Sequence, residues 1–111
     1  MPTKYDCGGF LPSDNYIDLT LGASGTTYTA PANGYFVLAA NAPNTADHDG
    51  IYIYNTVTQI GITTTQIWGR AMRAFVPVLK EQIIIVNYSS ALTDKHFRFI
   101  YIEGQPSIIK Y

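Results

Sequence analysis

The chain is short of charge. Seven basic and eight acidic residues make up 14% of 111 positions, and the formal net charge is −1. A typical domain carries about a quarter. The basic residues are scattered and give no electrostatic footprint for nucleic acid. Cysteine is almost absent: Cys7 stands alone, so no intrachain disulfide forms. A reducing compartment, or an assembly built in the cytosol, fits that count. No apolar run approaches the ~20 residues that span a bilayer, so membrane insertion is not expected. The start, MPTKYDCGGFLPSD, lacks the apolar core of a secretion signal. No segment keeps a 3.6-residue apolar period for three turns. The best helical candidate is 67–76, which Gly69 and the nearby Thr63–Thr65 weaken.

What fills the sequence is hydroxyl, amide and phenol. Thr, Asn, Ser and Gln total 27, and Tyr contributes nine residues. A wet surface with so few charges must use these groups, which suit oligomer and sugar contacts. At 12.3 kDa the chain is one domain. Folding would leave roughly 6,100 Å² of roughly 17,800 Å² exposed. One core can therefore form without disulfides or metals, and a two-lobed enzyme is not expected at this size.

Residues 1–15 include Pro2, Gly8, Gly9, Pro12, Ser13, Asp14 and Asn15. They read as an arm or linker, with residues 16–111 as the domain. From Tyr16 onward, short β-branched and aromatic segments alternate with turns. YIDLTL at 16–21 puts Ile17, Leu19 and Leu21 on one face. Gly22–Gly25 and Ala30–Gly34 read as turns, with TTYT between them. Gly34 can take a positive φ where the next strand begins. Further strands are expected at 35–41, 51–56, 58–63, 65–69, 71–79, 82–88 and 96–103. Pro77 assigns its strand to an edge or a bend. The fold class is an all-β antiparallel sandwich.

Strands with one wet face should alternate apolar and polar residues. YFVLAA, IYIY and IIIV do not. On 51–55, Ile51 and Ile53 oppose Tyr52 and Tyr54. On 97–102, Phe97, Phe99 and Tyr101 oppose Arg98, Ile100 and Ile102. A second apolar face needs a second cover, and another copy of the chain can supply it. Tyr52, Tyr54, Phe97, Phe99 and Tyr101 are therefore candidate subunit-interface residues. The competing reading is a sandwich with Tyr merely lying on its surface.

Asp47-His48-Asp49-Gly50 is the densest polar cluster. It lacks the downstream ligands and closing Glu of a calcium loop, so a solvated loop is the expected state and no metal is assigned. His96 has no nucleophile elbow of the G-x-S-x-G type to serve. Asp14, Asp18, Asp94 and Glu103 show no paired-carboxylate spacing, although such pairs leave little trace in sequence. No P-loop, CxxC or dinucleotide fingerprint occurs, so neither enzyme activity nor a cofactor is expected. Asn87-Tyr88-Ser89 matches a glycosylation sequon and reads as chance.

Trp68, with Gln66, Gly69 and Arg70 beside it, can be a sugar-stacking platform or a packed core or interface residue. Tyr88 shares that duality, because Tyr combines an apolar ring with a polar tip. Trp68, Arg70 and Tyr88 are the candidate ligand-binding residues.

One segment carries a family resemblance. Tyr28-Thr29-Ala30-Pro31-Ala32-Asn33-Gly34-Tyr35 follows a short apolar strand and a small-residue turn. IYIYN at 51–55, Ile60-Gly61, Val76-Pro77-Val78-Leu79-Lys80 and FRFIYIEG at 97–104 come after it in that order. This order resembles the C-terminal head domains of bacteriophage tail fibres and related virion proteins, over roughly residues 16–104. The resemblance implies a jelly-roll-like sandwich, often a homotrimer similar to tumour-necrosis-factor and complement heads. It also implies contact with other virion proteins and attachment to a host-surface receptor or glycan. Such a protein is assembled in the bacterial cytoplasm and resides in the virion, as a fibre tip or a capsid decoration. The competing expectation is a monomeric bacterial carbohydrate-binding or adhesion module.

Overall fold

A computed structural model describes residues 12–102. It contains eight strands: β1 (Pro12–Leu19), β2 (Thr26–Thr29), β3 (Gly34–Asn41), β4 (Asp49–Asn55), β5 (Ile60–Gln66), β6 (Ala71–Val78), β7 (Ile83–Tyr88) and β8 (Thr93–Ile102). No helix occurs among the described residues. Two four-stranded sheets form, ordered β1-β8-β3-β6 and β2-β7-β4-β5. Every pairing is antiparallel. The chain changes sheet at every connection except the β4–β5 hairpin. That winding is a jelly-roll sandwich.

The core follows from the two-residue period of a strand. On β3, Phe36, Leu38 and Ala40 point inward, while Tyr35, Val37 and Ala39 point outward. β6 alternates without a break, with Met72, Ala74, Val76 and Val78 buried. The facing sheet contributes Ile51, Ile53, Ile84 and Val86. An aromatic cluster closes the middle. Phe36 meets Phe99 edge to face at 5.1 Å, and Tyr28 meets Phe97 at 4.8 Å. Each fully buried side chain of this kind contributes about 1.5–3 kcal/mol relative to exposure.

Asn55 is the one buried polar residue among the described residues, at 0% exposure. Its Nδ2 donates to the Pro77 carbonyl at 3.2 Å and to Gln82 Oε1 at 3.0 Å. Its Oδ1 accepts from the backbone N–H groups of Val57 at 2.9 Å and Thr58 at 3.2 Å. The β4–β5 turn is thereby tied to β6 and the β6–β7 turn.

Two expectations change, and two weaker readings are resolved. β1 begins at Pro12, inside the stretch read as an arm, and residues 1–11 lie outside the described residues along with Cys7. The segments 58–63 and 65–69 are not two strands. β5 runs through 60–66, and 67–70 is a turn closed by Arg70 N–H donating to the Ile67 carbonyl at 3.1 Å. The weak helical candidate at 67–76 is no helix: Trp68 and Gly69 take left-handed φ values of 56° and 72°, after which β6 alternates. Gly34 does not take a positive φ. It is required for close approach, since an added Cβ would lie 2.6 Å from Phe99 Cζ and against the Ile100 carbonyl. Pro77 sits on β6, an edge strand, as its missing N–H demands.

Candidate functional site

Trp68 and Arg70 occupy the β5–β6 turn. Trp68 N–H donates to the Thr45 carbonyl at 2.9 Å, and Gly69 N–H to the Pro43 carbonyl at 3.0 Å. The Ala42 N–H in turn donates to the Arg70 carbonyl at 2.9 Å. The turn is thus stapled to the β3–β4 loop, which also carries Asp47 and His48. Trp68 is 57% exposed, which excludes the core reading of this residue. Asp47 and His48 are exposed too, and no cluster of three or more His, Cys, Asp or Glu able to hold a metal occurs among the described residues.

Tyr88 does not join them. It faces inward on β7, in one row with Ile84 and Val86. Its hydroxyl donates to the Gly22 carbonyl at 2.6 Å, and Lys95 Nζ stands 5.9 Å from its ring centre. Tyr88 borders a shallow groove of about 270 Å³ with Ser24, Gly50, Ile51, Tyr52, Thr63, Asn87 and Ser89. Neither Trp68 nor Arg70 lines that groove. The three residues grouped from the sequence therefore belong to two places.

The interface candidates also divide. Phe97 and Phe99 are core residues, 3% and 0% exposed, and have no surface to offer a second subunit. Tyr101 lies half-buried in the same row and packs edge to face on Phe99 at 5.1 Å. On β8 the aromatic row faces the opposite sheet, whose Tyr28 packs on Phe97, while Phe36 of the neighbouring strand β3 packs on Phe99. Tyr52 and Tyr54 do face outward, half-buried, on the second sheet.

The outward row of β8 instead holds His96, Arg98 and Ile100. Register sets Tyr16, Ile100, Tyr35 and Pro77 side by side across the first sheet. The next row is Asp18, Arg98, Val37 and Phe75. Phe75 is 51% exposed and Tyr16 46%. Arg98 stacks over the Tyr16 ring at 4.2 Å, and its Nη2 lies 3.2 Å from Asp18 Oδ1. A hollow of about 470 Å³ lies between Val37, Ala39, Arg73, His96, Arg98 and Ile100. This outer face is aromatic, aliphatic and cationic. Sequence reasoning missed Phe75 and Tyr16. The available signal was AMRAFVPV, in which Phe75 shares the polar row with Arg73.

The outer face of the second sheet differs. Its strands present Thr27, Thr29, Tyr52, Tyr54, Gly61, Thr63, Thr65, Ile83, Ile85 and Asn87, with no carboxylate, ammonium or guanidinium group among them. His96 and Asp94 meet at 3.3 Å on the rim of the first sheet, but at 63% and 67% exposure solvent screens the pair.

No protein-family model matches the chain, and neither curated proteins nor solved structures yield a match.

Proposed function

We propose that the chain is a binding module without catalytic activity: the homotrimeric head of a phage or prophage particle, set at a fibre tip or on the capsid. It attaches the particle to a host-surface receptor or glycan. The observation that carries this reading is the contrast between the two outer faces. The first sheet leaves Phe75 and Tyr16 half in water beside Tyr35, Val37 and Ile100. A patch of this kind marks a contact surface, and copies of the same chain are the cover proposed. Subunit contacts thereby move from the β8 aromatic row to the outer row of the first sheet. The second sheet keeps a charge-free face of Thr, Tyr, Asn and Ile for the outside of the assembly. Three weak sites on one rigid head bind with avidity, since each later contact is intramolecular. The fibre-head-like order of segments, from Tyr28–Tyr35 to the β8 strand, supports the virion assignment.

Light scattering of the purified chain, diluted to nanomolar, tests the assembly. A stable mass near three times 12.3 kDa is expected. Retention of that trimer on intact bacterial cells, across a panel of strains, tests attachment. A single-chain mass overturns the trimer. A trimer retained by no strain removes the attachment role.

A second reading has one observation in its favour. Trp68 is 57% exposed on a turn pinned to the neighbouring loop. A monomeric carbohydrate-binding module with Trp68 as platform would give a mass of one chain and Trp fluorescence that responds to sugars.

A further inference from the structure

We propose that the groove beside Tyr52 is a subsite for a neutral pyranose unit of a surface glycan. This rests on the attachment reading above and names its ligand class and its place, which is not the Trp68 turn.

The floor is aromatic. Tyr52 lines the groove, and Tyr54, just outside its lining, projects outward beside it two residues along β4, with ring centres 5.9 Å apart and planes within 19°. They settle onto the sheet because Gly61 lies below them. A Cβ at Gly61 would stand 2.9 Å from Tyr54 Cδ1 and 3.0 Å from the Tyr52 hydroxyl oxygen. Glycine at this position leaves the room that both rings need to lie close to the sheet. The C–H face of a pyranose packs on such a surface.

The walls supply directed polar groups. Register places Asn87 directly beside Tyr52 on one side and Thr63 on the other. Side chains paired this way have Cβ atoms about 5 Å apart. Asn87 offers both a donor and an acceptor to vicinal hydroxyls. Ser24 Oγ accepts from Tyr88 N–H at 2.9 Å, and Ser89 Oγ accepts from Gly50 N–H at 3.0 Å. Each serine is held in place by that bond and keeps its own hydrogen to donate. The space between these groups, about 270 Å³, is open to solvent on the sheet's outer face.

Charge selects the ligand class. No carboxylate, ammonium or guanidinium group lines the groove. An anionic sugar, a phosphate or an acidic peptide would find no counter-ion among the lining residues. Arg73 and Arg98 lie on the outer face of the other sheet.

The test uses the full chain on an array of immobilised neutral and anionic glycans. Tyr and Asn resonances are followed in titrations with the retained sugar, and mass is recorded on the same samples. Neutral glycans should be retained, with shifts centred on Tyr52, Tyr54, Thr63 and Asn87. Tyr52→Ala and Asn87→Ala should each weaken binding about tenfold, the loss of one contact of ~1.4 kcal/mol. Gly61→Ala should weaken it by lifting the ring pair. Lys80→Ala, on the β6–β7 turn, should bind as the parent does. Mass should stay at the parent value in all four. Retention of anionic glycans alone overturns the proposal, as does retention of none. Binding abolished by Trp68→Ala and kept by Tyr52→Ala also overturns it. If the trimer holds to cells while no neutral glycan is retained, the subsite fails and the attachment reading stands. If a neutral glycan maps to Tyr52 on a single-chain protein, the subsite stands and the trimer fails.

Discussion

Replacing Phe75 by Glu separates subunit contact from folding. Phe75 points outward from β6 between the buried Ala74 and Val76, so its removal leaves the core intact. Within the chain it forfeits one ring contact, with Tyr35 at 6.0 Å and 62°, which is about 1 kcal/mol. Between chains the loss is larger. Half of a Phe side chain of about 200 Å² leaves about 100 Å² for a partner to cover. At about 25 cal/mol per Å² that is ~2.5 kcal/mol per subunit, or ~7.5 kcal/mol per trimer. Ordering and imperfect pairing consume part of it. A third of the sum still shifts the assembly constant by about two powers of ten, and a buried carboxylate adds to the loss. Sedimentation at nanomolar concentration should show a 12.3 kDa species for Phe75→Glu and three times that mass for the parent. Far-ultraviolet dichroism should be the same for both. A variant that keeps the parent's trimeric mass at nanomolar concentration would show that this face does not join the subunits.

Three further outcomes follow from single contacts. Asn55→Ala strands the N–H groups of Val57 and Thr58 and the Pro77 carbonyl; at ~1 kcal/mol each, the melting temperature should fall by about 10–20 °C, and a fall below ~4 °C would contradict the network. Gly34→Ala forces a methyl against Phe99 and the Ile100 carbonyl, so the urea midpoint should drop by the equivalent of about 2–3 kcal/mol; an unchanged midpoint would mean the two sheet strands can separate freely. Asp18→Asn removes a pair whose carboxylate is 71% exposed, and its effect on stability should stay below ~1 kcal/mol; a larger loss in thermal melts would show that the Arg98 stack on Tyr16 depends on it.

The strand content was legible because the alternation of β-branched and aromatic residues is a local property. The edge-or-bend reading of Pro77 came from its missing N–H, and the separation of Ile51 and Ile53 from Tyr52 and Tyr54 came from spacing. The strand reading of 71–79 held, as β6 spans Ala71–Val78, but spacing alone could not show the left-handed φ at Trp68 and Gly69 that makes 67–70 a turn. Trp68 and Arg70 were found because they are near neighbours in sequence. Their separation from Tyr88 was hidden, because the Gly22 carbonyl that holds the Tyr88 hydroxyl is 66 residues away.

By itself the sequence determined an all-β chain with few charges, short strands and two apolar rows on several of them. A period of two defines two faces for each strand. It does not state which face turns inward, because that depends on what the opposite sheet presents. Only the tertiary structure placed Phe97 and Phe99 against Phe36 and Tyr28, leaving Arg98 and Ile100 outside. Only the structure brought Asn87 beside Tyr52, from strands well separated along the chain, and set Gly61 beneath the ring pair. Strand periodicity is encoded in neighbours along the chain. Sites on this sandwich are encoded in register between strands distant in sequence, which the folded packing alone fixes.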